Sequence, residues 1–252
     1  MNNPDTLSPF HEPDLTRWLR LFWRLTGRSR WMDRKLSLIL KYRDFLPKTS
    51  PEKCIPEFDS SRISITRGPS GPWATPWIDT FVLLKGAAGF RPRTILEIGS
   101  YLGVTARLLA ENTGDGCRVY ALDLDKEHGR AYRGLPVEGK ITRLVGKSSR
   151  EVASYGAPYD MVFIDGDHGR EGALRDSLLA WELLSDRGII FWHDYQLYDY
   201  FVHRSGAVPE ALKDFQKVTD AKVVSLEGTT LALFSRYPGW ETRISPKDLA
   251  RF

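Results

Sequence analysis

Apolar and polar positions change their period twice along this chain. Leu15, Trp18, Leu19, Phe22 and Leu25 recur at helical spacing, while Arg17, Arg20, Arg24 and Arg28 follow another face. That pattern predicts an amphipathic helix from Asp14, stopped by Gly27. A second helix is expected over about Trp31 to Leu46, with Leu36, Ile39 and Leu46 inward and Pro47 as its end. Residues 47–76 are rich in proline, glycine and serine and read as an extended connector. Beyond Trp77 the period alternates. Helices are expected at 77–89 and 104–112, and strands at 93–98, 117–123, 141–145, 159–165 (YDMVFID) and 188–193 (GIIFWH). Leu174, Leu178 and Trp181 give a further helix its buried stripe between the last two strands. Lys222–Ser225 and Thr229–Phe234, joined at Gly228, read as a closing antiparallel pair.

Continuous apolar strands separated by amphipathic helices require a sheet covered on both faces. The expected fold is therefore α/β: a Rossmann-like, doubly wound, mostly parallel sheet of seven strands with the last antiparallel, preceded by a helical extension. The expected divisions are 1–74 for the extension and connector, 75–236 for the body, and 237–252 for a tail.

Charge and cysteine content narrow the function classes. Residues 1–50 hold 10 Lys/Arg against 5 Asp/Glu, and the rest of the chain is close to neutral, within an overall net charge of +4. So small a basic excess argues against a nucleic-acid partner. The arginine-faced helix is expected to dock on the body or on a second copy of the chain, giving a homo-oligomer. Peripheral contact with an anionic membrane is the alternative. Cys54 and Cys117 have no metal-ligand neighbours at short spacing and read as reduced and structural, which favours a cytoplasmic location. The N-terminus shows no secretory pattern, and no run approaches transmembrane length.

The segment Thr94–Thr105, TILEIGSYLGVT, carries the chemistry. A buried strand ends in Glu97, passes through a turn with Gly99 and Gly103, and enters a helix. Glycines let a ligand approach the backbone, and a helix start offers unpaired N–H groups to it. A doubly wound sheet binds its ligand outside the carboxyl ends of its strands. Glu97, Asp123, Ser148, Asp165, His193 and Asp194 fall there, and Asp123 is suited to ribose hydroxyls. The spacing E-x-G-x-x-x-G departs from the G-x-G-x-x-G of dinucleotide sites. Asp165, His193 and Asp194 sit at the tips of two adjacent strands about 4.8 Å apart, where they can converge on a divalent cation. Magnesium is the first expectation, with Mn²⁺, Fe²⁺ or Zn²⁺ left open by the imidazole.

EIGSYLG resembles the first motif of class I S-adenosylmethionine-dependent methyltransferases, and its tyrosine resembles the catechol- and caffeoyl-CoA-type O-methyltransferases. The stretch FIDGDHGREGALRDSLLAWELLSDRGIIFWHDY is similar to antibiotic-sugar O-methyltransferases. The resemblance spans residues 75–236 and implies S-adenosylmethionine as cofactor. It places Glu97, Gly99, Ser100, Tyr101, Gly103 and Thr105 around the methionine moiety, Asp123 on the ribose and Ser148 beside the adenine. Lys147 stands where relatives carry a small or acidic residue. Asp165 would border both cofactor and metal, and the family's metal positions carry Asp, Asp and Asn or Asp, from which His193 departs. His168 occupies the position of the family's catalytic lysine and, with an ordinary pKa of about 6.5, suits a general base; Asp167 could orient it. Trp73 and Trp77 read either as aromatic walls of an acceptor pocket or as core.

Three readings follow. The first is a metal-assisted O-methyltransferase acting on a hydroxyl of a small molecule such as a sugar, polyketide or phenol. The second is a metal-independent methyltransferase using a histidine base. The third is a cofactor-binding scaffold without catalysis.

Overall fold

In the computed structural model, residues 46–69, 74–147, 149–195 and 207–240 are described. The two N-terminal helices expected before Leu46 lie outside them, as do Trp73 and Ser148. The elements run β1 (Lys48–Thr49), α1 (Pro51–Cys54), α2 (Trp77–Phe90), β2 (Thr94–Ile98), α3 (Val104–Glu111), β3 (Arg118–Asp123) and a 3₁₀ turn (Pro136–Lys140). They continue with β4 (Ile141–Val145), α4 (Ser149–Gly156), β5 (Tyr159–Ile164), α5 (Arg170–Leu183), β6 (Leu184–Trp192), α6 (Ala207–Thr219), β7 (Val224–Leu226) and β8 (Ala232–Ser235).

The strands form one sheet in the order β1-β7-β8-β6-β5-β2-β3-β4. Among the described residues only β8 runs antiparallel, against β6 and β7. The sheet therefore has eight strands where seven were expected. The additional one is the two-residue edge β1, whose Lys48 and Thr49 pair with Ser225 and Leu226. A segment this short has no readable period, and the connector holds a four-residue helix besides. β6 also begins four residues before the expected Gly188, because Leu184 pairs with Tyr159 ahead of an irregularity in register.

β2, β5 and β6 are apolar on both faces, and Ile95, Leu96, Met161, Val162, Phe163, Ile189 and Ile190 are all fully buried. One core cluster packs α2 and α3 on one face; the other packs α5 and α6 on the opposite face. Inside the second, the Trp192 indole N–H donates to Ser177 Oγ at 2.9 Å, and that hydroxyl donates to Ala173 O at 2.6 Å. A buried indole N–H is thereby satisfied. Chain order reverses between β2 and β5, and the turns leaving those two strands are what this architecture brings together.

Candidate active site

The crossover from β2 to α3 is held in left-handed backbone at Gly99 (φ +89°), Tyr101 (φ +46°) and Gly103 (φ +80°). A β-carbon on Gly99 would lie 2.0 Å from the carbonyl oxygen of Asp165, so no side chain fits where the β2 and β5 turns meet. The Asp165 N–H donates to Ile98 O at 2.8 Å and locks the two turns together. Much of the amide supply of the turn is consumed internally. Gly99 and Ser100 donate to Leu122 O at 2.9 and 3.1 Å, and Tyr101 donates to Asp123 Oδ2 at 2.6 Å. What remains for an anionic group is the first turn of α3.

Asp123 closes β3, with its second oxygen taken by the Asp125 N–H at 2.9 Å. Gly99, Tyr101, Asp123, Lys147 and Asp165 line one cleft of about 1060 Å³, and Ile98, Leu122, Leu174, Leu178 and Leu179 form its apolar wall. Lys147 is also tied to Glu151 at 3.3 Å. Gly103 is buried at the start of α3, and the Thr105 hydroxyl lies 3.4 Å from that of Thr75. A separate cleft of about 690 Å³, walled by Trp181, Phe234 and Tyr237, lies at the opposite end of the strands.

Glu97 sits beneath the turn, 1% exposed. Burial drives its carboxyl from the ordinary 4.5 up to about 8, and the negative charges of Asp165 and Asp123 push the same way. The Ser100 hydroxyl and the Ala106 N–H favour the charged form without offsetting burial. Glu97 Oε2 is buried with no hydrogen-bond partner. A glycine cradle beside an orphaned carboxylate oxygen fits a ligand that brings a cationic donor to this spot.

The reaction centre lies where β5 and β6 end. His168 Nε2 is 3.4 Å from Asp165 Oδ1 and 3.5 Å from Asp194 Oδ2. Ligand atoms of Asp165, His168 and Asp194 all lie within 4.8 Å of one another, a set able to hold a cation. Asp194 adopts φ +55°, an uncommon conformation for a non-glycine residue and one that turns its carboxylate into this cluster. His193 is held from both sides: Nδ1 lies 3.0 Å from Asp165 Oδ1 and 3.4 Å from Asp194 Oδ1, and Nε2 lies 3.2 Å from Asp79 Oδ2. Both ring nitrogens thus face carboxylates, and the third member of the ion-competent set is His168. Burial would lower the His193 pKa, but the Asp165 charge and the ring's hydrogen bonds to three aspartates hold it well above its ordinary value. Burial would likewise raise Asp165, yet the His193 charge and the contacts of both histidines bring it down to about 2.

Asp79 is absent from the site residues expected from sequence. It lies on α2, 86 positions before Asp165, where it reads as an ordinary first-turn acid. Its one sequence signal is that it is the sole acid in a mostly apolar helix. Of the remaining candidates, Trp77 is 58% exposed and packs against Gly68. Among the described residues, no helix is long and apolar enough to cross a membrane.

Comparison with known proteins agrees with this fold. A family model described as a methyltransferase domain matches residues 96–195. A curated relative, O-methyltransferase hkm8 of Aspergillus hancockii, is 26% identical over 154 residues, which are 59% of this chain. The match also spans only 59% of that relative's length. Among solved structures, the O-methyltransferase TomG of Streptomyces achromogenes, in complex with SAM, aligns with a TM-score of 0.53 at 17% identity. That alignment covers 65% of this chain and 81% of TomG. SAH-bound methyltransferase PaMTH1 of Podospora anserina gives 0.54 at 18% identity, covering 66% and 80%. Cofactor-bound Rv0187 from MTB gives 0.53 at 18% identity, covering 94% and 99%. Residues 96–195 thus match the model of a methyltransferase domain, and the chain shares the Rossmann-like fold of these solved methyltransferase structures.

Proposed function

We propose that this protein transfers the methyl group of S-adenosylmethionine to a hydroxyl of a small molecule, with sugars, polyketides and phenols as the acceptor classes. The observation that carries the reading is the meeting of the Gly99 cradle with Asp165, the first residue of the ionisable cluster, at 2.0 Å from a hypothetical β-carbon. The name of the Aspergillus relative supports oxygen as the acceptor atom.

Bound S-adenosylmethionine would supply an electrophilic methyl on a sulfonium. The first turn of α3 would receive its carboxylate, Glu97 its ammonium, and Asp123 its ribose, while Leu174, Leu178 and Leu179 would cover apolar surface. Asp165, His168 and Asp194 form an O, N, O donor set that suits a divalent cation, whose contribution would be to lower the pKa of the acceptor hydroxyl and fix its direction. Mg²⁺ suits the carboxylates, and the imidazole admits Mn²⁺, Fe²⁺ or Zn²⁺. The side chains would also orient the acceptor in line with the methyl group, and positioning of this kind can contribute about 7–11 kcal/mol.

A second reading rests on His168 Nε2, which stands within 3.5 Å of two carboxylates. There His168 takes the acceptor proton at Nε2, and Asp165 and Asp194 stabilise the charge the ring gains. Methyl transfer from radiolabelled S-adenosylmethionine to a panel of hydroxylated acceptors, with and without EDTA, separates the two. Loss of transfer with EDTA, restored by Mg²⁺ or Mn²⁺, supports the first reading. Transfer that persists supports the second. Failure to bind the cofactor at all would remove both.

A further inference from the structure

Asp79 has the least solvent exposure of any charged group near the site, at 0%. Its carboxylate is fixed from the β7–β8 connection, where Thr230 donates its backbone N–H to Oδ1 at 3.0 Å and its hydroxyl to Oδ2 at 2.7 Å. The same Oδ2 lies 3.2 Å from His193 Nε2. The far side of the imidazole meets Asp165 Oδ1 at 3.0 Å and Asp194 Oδ1 at 3.4 Å. Phe163 bounds the ring, edge to face at 6.3 Å. A buried carboxylate is costly unless paired, and among the described residues this one takes its hydrogen bonds from Thr230 and His193.

We propose that Asp79 is a positioning residue of the reaction centre: it anchors the His193 ring, and the ring sets the direction of the Asp165 carboxylate. The chain of contacts runs from α2 through the end of β6 to the end of β5. It holds Asp165 Oδ1 from behind, and because a carboxylate is rigid this also fixes Oδ2, which lies 3.5 Å from the Thr75 hydroxyl. The simpler alternative is a latch that only ties α2 to the sheet. The proposal rests on the methyltransferase reading, and its test keeps the two apart.

Wild type, Asp79→Asn and the milder Thr230→Val are compared in three measurements. These are calorimetric binding of S-adenosylmethionine, Mn²⁺ binding followed by electron paramagnetic resonance, and ¹⁵N-edited spectra of the His193 ring. Loss of a partner that orients a metal ligand commonly weakens metal affinity by about 10–100-fold. Asp79→Asn, which acts on Asp165 through His193, is expected at the lower end, about tenfold, with cofactor affinity within about twofold and a shifted Nε2 signal. Thr230→Val is expected to move the same way by a smaller factor, and it decides the matter if Asp79→Asn does not fold. Unchanged Mn²⁺ affinity and ring signals in folded variants would overturn the proposal in favour of the latch. If wild type binds the cofactor but not Mn²⁺, the cation leaves the reading and methyl transfer decides. A tenfold lower kcat at unchanged cofactor KM then supports positioning, and an unchanged kcat overturns it. If wild type binds neither, the methyltransferase reading fails, and Asp79 with it.

Discussion

Replacing Glu97 by glutamine should stabilise the cofactor-free protein, and increasingly so as pH rises. Burial lifts the Glu97 carboxyl from 4.5 to about 8 in the folded chain, whereas in the unfolded chain it ionises at its ordinary value. Below about pH 4.5 both states hold the proton and the group contributes no difference. Between there and about pH 8 the unfolded chain has released a proton that the folded chain still holds, so stability falls with rising pH. At about 1.36 kcal/mol per tenfold change in proton affinity, the interval from 4.5 to about 8 corresponds to roughly 4–5 kcal/mol. Glutamine carries no such burden, and the Ser100 hydroxyl beside it can accept from its new amide. Urea unfolding of both proteins from pH 5 to 9, without cofactor, should show the variant gaining about 1 kcal/mol per pH unit until near pH 8, then levelling. Parallel stability profiles would refute the reasoning, because Glu97 would then ionise alike in both states.

The same carboxyl should release a proton when S-adenosylmethionine binds at pH 7, since a cationic ammonium beside it favours the ionised form. Calorimetry in buffers of different ionisation enthalpy would read this as a slope near one proton, and a slope of zero would exclude it. His168→Ala should lower turnover by about 10²–10⁴-fold with the cofactor KM within threefold. Turnover within fivefold of wild type would remove His168 from the chemistry. Ser177→Ala should cost about 1–3 kcal/mol in denaturant unfolding, because the buried Trp192 N–H loses its acceptor. A loss under 0.5 kcal/mol would mean that the indole finds another acceptor.

The parallel core was legible because its strands are buried on both faces. TILEI and YDMVFI are nearly continuous apolar runs, and the structure forms strands at both. Gly99 was legible for a related reason, as the turn it occupies permits no β-carbon. Less readable were elements whose burial comes from distant partners. β1 owes its existence to β7, about 175 residues away. α6 carries a helical stripe in Val208, Ala211, Leu212 and Phe215, all buried, so periodicity alone could have found it. At the site, sequence places His168 and His193 at strand ends with equal ease, but ring direction depends on Asp79 and Thr230 from remote segments. His168, four residues past the end of β5, lies with Asp165 and Asp194 in a set able to hold an ion, while His193, one residue past β6, is held between Asp79 on one side and Asp165 and Asp194 on the other.

The central claim is that the hollow at the β2 and β5 tips holds a methyl donor. Calorimetric titration with S-adenosylmethionine of wild type and Gly99→Ala, each checked for fold by circular dichroism, tests it most directly. A β-carbon there meets the Asp165 carbonyl at 2.0 Å in left-handed backbone, so the turn must open. The account predicts one cofactor bound per wild-type chain and at least tenfold weaker binding by the folded variant. Equal affinity in the two proteins, or no heat from wild type, would contradict it.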